Sequence, residues 1–179
     1  MEEKKYCYQY PHPAVASDCV VFGFDGNDLK ILLIQRNNDP HKGKWAFPGG
    51  FMEIDETADQ GALRELEEET GLVLKHVKQV YTSSTVDRDP RERILSVVYY
   101  TLSRVAEVTG TDDAANAQWF SLNEIPPLAF DHAMLLKKAL KKLRDDIREE
   151  PFGYDIFDQD ITVPELKKLH KLIYDNYNL

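Results

Sequence analysis

Glu65, Glu68 and Glu69 stand three and four residues apart in the segment GFMEIDETADQGALRELEEETGL, which runs from Gly50 to Leu72. On a helix, positions i, i+3 and i+4 share a face. Three carboxylates on one face repel one another and weaken the helix unless a cation lies among them. Hard cations such as Mg²⁺ take oxygen ligands and keep several waters, so the cluster suits a cation that faces a phosphate. Glu56, just before the helix, adds a fourth carboxylate. A solvated helix face would show the same glutamates. Here the run also contains Arg64, has a capped start and a glycine stop, and follows Gly49-Gly50 directly.

The flanking residues define the helix. Thr57 is an N-cap with Gln60 three residues on, a capping box, and Gly71 is placed to end the helix as its C′ residue. Ala62 and Leu66 fall on the opposite face and are expected to pack on a sheet. Upstream, Ala14 to Phe24 is β-prone, Asp25-Gly26-Asn27-Asp28 is a turn, and Leu29 to Gln35 is a second strand, together a hairpin. Asn37 to Lys44 is a polar loop, and Trp45 to Phe51 is short, apolar and glycine-bearing. Val73 to Thr82, Ile94 to Leu102 and Gln118 to Phe120 read as further strands. Asp131 opens a helix with Leu136, Leu140, Leu143 and Ile147 on one face, broken at Pro151-Phe152-Gly153. Thr162 and Glu165 form another capping box, before a stripe of Leu166, Leu169 and Ile173. The pattern is α/β: a mixed sheet, one central helix, and two helices at the C-terminal end.

Bulk properties exclude several classes. A chain of 179 residues is one domain with room for a small appendage. At 42% hydrophobic residues it can build a core. A net charge of −9 and a pI of about 5.0 disfavour a general nucleic-acid binder. Cys7 and Cys19 have no zinc or redox spacing and read as reduced thiols. The first residues lack the apolar run of a signal peptide, and no apolar segment reaches the ~20 residues of a membrane span. A cytoplasmic protein without a membrane partner is expected.

Gly50, Glu56 and the run Arg64-Glu65-Leu66-Glu67-Glu68-Glu69-Thr70-Gly71-Leu72 match the Nudix box at each of its fixed positions, so the chain resembles the Nudix hydrolases. The resemblance spans roughly residues 10–148. It implies an α/β/α sandwich with the catalytic helix held between sheet and loop, and hydrolysis that needs Mg²⁺, with Mn²⁺ as a substitute. It assigns Glu65 and Glu69 as core metal ligands, Glu68 as a third ligand that also serves catalysis, and Gly49 as the donor of a carbonyl oxygen. Arg64 would hold a box glutamate in position, a bidentate task a lysine performs less well. Glu56 would support the metal shell or its water. The base is a box glutamate or a carboxylate on a later loop. Asp112 and Asp113 fit the second description, and a plain turn fits them too.

Val86-Asp87-Arg88-Asp89-Pro90-Arg91 and Ala129-Phe130-Asp131-His132 resemble the ADP-ribose pyrophosphatase branch and the Nudix-related regulators of NAD metabolism. The substrate is then a nucleoside diphosphate-linked small molecule, with ADP-ribose first. Arg36 and Arg88 are candidates to grip phosphate. Trp45, Phe47 and Tyr10 are candidates to stack on a base. His132 reads as a local hydrogen-bonding residue. The tail, 149–179, resembles the start of a winged helix appended to a Nudix domain of residues 1–148, whose first 13 residues form an arm. A recognition helix and wing need roughly 40–60 further residues. DNA binding is therefore not expected, and the basic residues Lys137, Lys138, Lys141, Lys142, Arg144 and Arg148 read as a solvated helix face. A homodimer, with the arm crossing to a partner, is expected from the family. The alternatives are a metabolite-sensing transcriptional regulator and a hydrolase of oxidised nucleoside triphosphates.

Overall fold

The structure, a computed structural model, describes residues 8–110, 114–149, 155–158 and 161–175. Strand β1 (Ala14–Phe24) is buried on both faces along its second half. Side chains alternate across a strand. Val20, Phe22 and Phe24 therefore point to one side, and Cys19 and Val21 to the other. Strands β2 (Leu29–Arg36) and β6 (Ile94–Arg104) divide in the same way, with Leu33, Tyr100 and Leu102 on the first side and Leu32 and Tyr99 on the second. Two layers of helix cover the two sides. Helix α1 (Ala58–Thr70) covers the second with Ala62 and Leu66. Helix α2 (His132–Glu149) covers the first with Leu135, Leu136, Ala139, Leu140, Leu143 and Ile147. The result is an α/β/α sandwich, in which each fully buried aliphatic side chain contributes about 1.5–3 kcal/mol.

The remaining strands are β3 (Trp45–Ala46), β4 (Gly49–Phe51), β5 (Lys78–Ser83) and β7 (Ala114–Ser121). The sheet runs β3-β2-β1-β6-β5, with β4 on β1 and β7 on β2. Only the β1–β6 pair is parallel among these ladders, and it continues from Ala14↔Ile94 to Phe24↔Arg104. The other edge of β1 is shared. Ala16 to Asp18 pair with β4, and Phe22 to Phe24 pair with β2. Between them the Cys19 N–H donates to the Pro48 carbonyl. The sheet therefore parts along β1, and a cleft opens at the division.

Local signals explain the helix limits. The Thr57 N–H donates to Gln60 Oε1 at 2.9 Å within a complete capping box. Gly71 adopts a left-handed conformation, φ 71°, and its N–H closes on the Glu67 carbonyl. At helix α3 (Val163–Asp175), Thr162 and Glu165 cap each other's backbone N–H. Leu169 and Ile173 of α3 enter the same core as α2. Arg144 Nε donates to the Ile173 carbonyl at 2.7 Å, and Tyr174 OH returns a bond to the Arg144 carbonyl.

One expectation changes. The strand expected from Val73 starts only at Lys78. The N–H groups of Lys75 and His76 donate to the carboxylate of Asp155, at the head of a short 3-10 helix (Asp155–Asp158), so this backbone is claimed by a side chain instead of a ladder. The basic face of α2 is exposed at Lys137, Lys138, Lys141 and Arg148, as expected of a solvated face, and it carries local contacts. Lys141 and Lys142 pair with Asp145 and Asp146, Lys138 lies 4.1 Å from the Tyr81 ring centre, and Arg144 is tied to α3. No helix among the described residues is long and apolar enough to cross a membrane.

Candidate active site

The cleft has a volume of about 370 Å³. Its floor is the start of β4 and the inner face of α1, which brings Gly49, Gly50, Glu65 and Glu69 together. Glu69 is buried, and its Oε2 accepts the Gly49 N–H at 2.9 Å. Gly50 lies against Glu65, and a methyl group there would overlap the Glu65 carboxylate. Gly50 thus lets β4 approach α1 closely, while a side chain at Gly49 would run into Ser17 and Asp18 of β1.

Arg64 organises the rest. Its Nε and Nη2 grip both oxygens of Glu56, at 3.0 and 2.7 Å. Its Nη1 donates to Glu65 at 2.8 Å and to Glu68 at 2.9 Å, and Nη2 also reaches the Phe51 carbonyl. The arginine holds the Glu56 carboxyl below the usual range. Burial pushes the Glu65 carboxyl up, against the pull of Arg64. Glu68 is the outlying member, with its side chain 60% exposed. Among the described residues, no three acidic, histidine or cysteine side chains are arranged to hold a metal by themselves. Glu65 and Glu69 beside a bare glycine backbone still fit a hard cation, which takes one or two carboxylates and completes its shell with other oxygens and water.

The opposite wall is built by β2, the 84–93 loop and the start of α2. Arg36 lines it, with Nε donating to the Pro40 carbonyl and its guanidinium 4.8 Å from the Phe130 ring centre. Phe47 is 1% exposed and stacks on His132 at 4.6 Å, so its ring is packing and offers no free face to a base. Trp45 does not line the cleft. It meets Phe120 edge-on in the larger core. Tyr10 is exposed and also lies away from the cleft. Arg88 borders the cleft but is 4% exposed, and its fork is committed to Asp131 at 2.8 and 3.3 Å, which removes it as a free phosphate grip. Asp112 and Asp113 lie outside the described residues.

Sequence reasoning missed several groups here. Asp18 lies beside Gly49, accepts the Ser96 hydroxyl, and stands 3.8 Å from Arg88. Its signal was an acidic residue inside an otherwise apolar buried strand. Asp131 accepts from Ser83 at 2.6 Å as well as from Arg88. Burial acts to raise its carboxyl, and these bonds outweigh it, so it sits below the usual range. Asp89 and Arg91 form a bidentate pair at the rim. Phe130 is held at a positive φ of 50° above Arg36, a conformation that costs an aromatic residue about 1–3 kcal/mol. His132 Nδ1 accepts the Phe47 N–H at 3.0 Å, and burial pushes the pKa of this imidazole down.

The NUDIX domain family matches residues 12–143, and the chain belongs to that family. It is 44% identical over 138 residues to an ADP-ribose pyrophosphatase from Methanocaldococcus jannaschii, covering 77% of this chain and 79% of that one. It is 32% identical over 169 residues to the ADPR responsive transcriptional repressor NtrR of Acinetobacter baylyi, covering 92% and 68%. Among solved structures, the NUDIX domain of Shewanella oneidensis NrtR complexed with ADP ribose superimposes with a TM-score of 0.71 at 32% identity, covering 75% of this chain and 90% of that one.

Proposed function

We propose that this Nudix pyrophosphohydrolase cleaves the pyrophosphate of ADP-ribose, or of a closely related nucleoside diphosphate sugar, to AMP and a sugar phosphate. The observation that carries the reading is the pair Glu65 and Glu69, fixed at the cleft by Arg64 and the Gly49 N–H. The pyrophosphatase relative supports the substrate class.

In this proposal Glu65 and Glu69, with Glu68 and the Gly49 carbonyl, hold Mg²⁺, for which Mn²⁺ can substitute. When bound, the cation supplies neutralisation of phosphate charge and a more acidic water. Arg64 positions Glu65 and Glu68, and Glu56 anchors Arg64. Arg36 meets a phosphate from the opposite wall. A box glutamate, Asp112 or Asp113 takes the proton. The leaving group is itself a phosphate, so it needs little help from an acid. The proposal extends to a cytoplasmic homodimer.

The test is turnover, with Mg²⁺, of ADP-ribose, other nucleoside diphosphate sugars, diadenosine polyphosphates, NADH and an oxidised deoxynucleoside triphosphate, beside a Glu69→Gln control. ADP-ribose hydrolysis that vanishes in the control supports the proposal. Tight ADP-ribose binding without turnover of any compound sinks it in favour of a metabolite sensor. That second reading has one observation behind it: the match to the repressor runs over 169 residues. It requires retention of DNA at physiological salt, and none is expected from a chain of net charge −9.

A further inference from the structure

His132 is the first residue of α2 and is 3% exposed, yet it lines the cleft. The Phe47 N–H donates to Nδ1. A nitrogen that accepts a hydrogen bond carries no proton, so the neutral ring holds its proton on Nε2. Phe47 also stacks on the imidazole with only 8° between the planes, which leaves the ring little freedom to turn. Among the described residues Nε2 has no hydrogen-bond partner, and it is not one of the sealed, unpartnered polar atoms of the interior. A donor with no partner among the described residues, held this firmly where the side chain borders the cleft, is a place for an acceptor. Arg36 stands on the same wall, and the positive end of α2 adds to the field. Both favour an anionic acceptor.

We propose that His132 is a binding residue: its Nε2–H donates to a phosphate oxygen of the nucleoside diphosphate, on the wall opposite Glu65 and Glu69. This rests on the nucleoside diphosphate reading given above. The donor is neutral and fixed before the ligand arrives, so it orients a phosphate without adding a charge that would compete with a cation at the glutamates. The helix N-terminus alone would hold any anion. The histidine instead demands an acceptor at one point.

The experiment uses full-length protein labelled with ¹⁵N-histidine. Long-range ¹H–¹⁵N correlations report which ring nitrogen carries the proton. Inorganic pyrophosphate and ADP-ribose are each titrated, with Ca²⁺ in place of Mg²⁺ to slow turnover. The expected result is an Nε2–H tautomer before titration and a moved Nε2 resonance with either ligand. His132→Asn keeps an acceptor near the Phe47 N–H and lacks the distal donor. It should weaken pyrophosphate binding by roughly 10- to 100-fold when measured well below the variant's Tm. An Nδ1–H tautomer, an Nε2 resonance that stays put at saturation, or wild-type affinity in His132→Asn overturns the proposal, as does failure of both ligands to bind. If pyrophosphate moves the resonance and ADP-ribose does not bind, the donor stands and the nucleoside diphosphate sugar reading falls.

Discussion

Two arginines border the cleft, and each clasps a carboxylate through Nε and Nη2. Arg64 holds Glu56 at 2.7 and 3.0 Å, and Arg88 holds Asp131 at 2.8 and 3.3 Å. Their surroundings differ. The Arg64 side chain is 26% exposed and the Arg88 side chain 4%. Near water, an ion pair adds little stability, so the value of Arg64 lies in where it puts Glu65 and Glu68. In the interior, removing one partner strands an unpaired charge. Arg88 therefore latches the start of α2 to the sheet, through Asp131 and Ser83. Identical side-chain chemistry serves geometry in one place and cohesion in the other, and burial decides which.

The difference can be broken from both ends. Arg88→Ala should cost about 3–5 kcal/mol of folding stability, read as a lowered urea midpoint, because Asp131 loses its counter-charge while half-buried. A loss below about 1 kcal/mol would place Arg88 with the solvent-screened pairs. Glu69→Gln should lower kcat/KM for ADP-ribose by roughly 10²–10³-fold with little change in Tm, since the amide keeps an acceptor for the Gly49 N–H. Unfolding in place of lost turnover would make Glu69 a structural residue. Arg64→Lys should reduce Mg²⁺ affinity or kcat by about 10- to 100-fold, because a lysine cannot grip Glu56 with two donors and still reach Glu65 and Glu68. Equal activity of the lysine variant would show that charge alone suffices.

A third pair extends the contrast to the docking of α3. Glu165, bonded by Arg104 and by the N–H and hydroxyl of Thr162, has its pKa lowered from 4.5 to about 2. A carboxyl whose folded pKa is depressed stabilises the fold above its unfolded pKa and loses that contribution as pH falls through the folded value. Glu165→Gln should therefore be slightly less stable than wild type at pH 7. The gap should close between about pH 4.5 and pH 2 in urea titrations. A gap that is constant with pH would remove Glu165 from the account of α3 docking.

The elements that could be read from the sequence were those set by local rules. The Thr57–Gln60 box, the Gly71 stop and the Thr162–Glu165 box each act within four residues, and the structure has all three. The β-prone runs from Ala14 to Phe24 and from Leu29 to Gln35 were equally plain. On the opposite wall Arg36 and Arg88 were legible as candidates, but what engages them was not, because it depends on contacts remote in sequence. Nothing near Arg88 announces that Asp131 will take its fork, and nothing near Val73 announces that Asp155 will cap Lys75 and His76. Trp45 and Phe47 have the composition of base-stacking residues. Their partners, Phe120 and His132, come from distant segments and turn them inward.

The divided edge of β1 also sets an order of events. One side of this strand is completed by β2 and β4, which follow closely in the chain, and the other only by β6, with Ala14 joined to Ile94. Closing so wide a loop is slow compared with forming a hairpin or a capped helix. As the chain leaves the ribosome, the glutamate helix is complete while its supporting strand still lacks a neighbour. The histidine wall arrives later, with α2. A premature stop between them would release a chain carrying the Nudix box and no cleft to put it in.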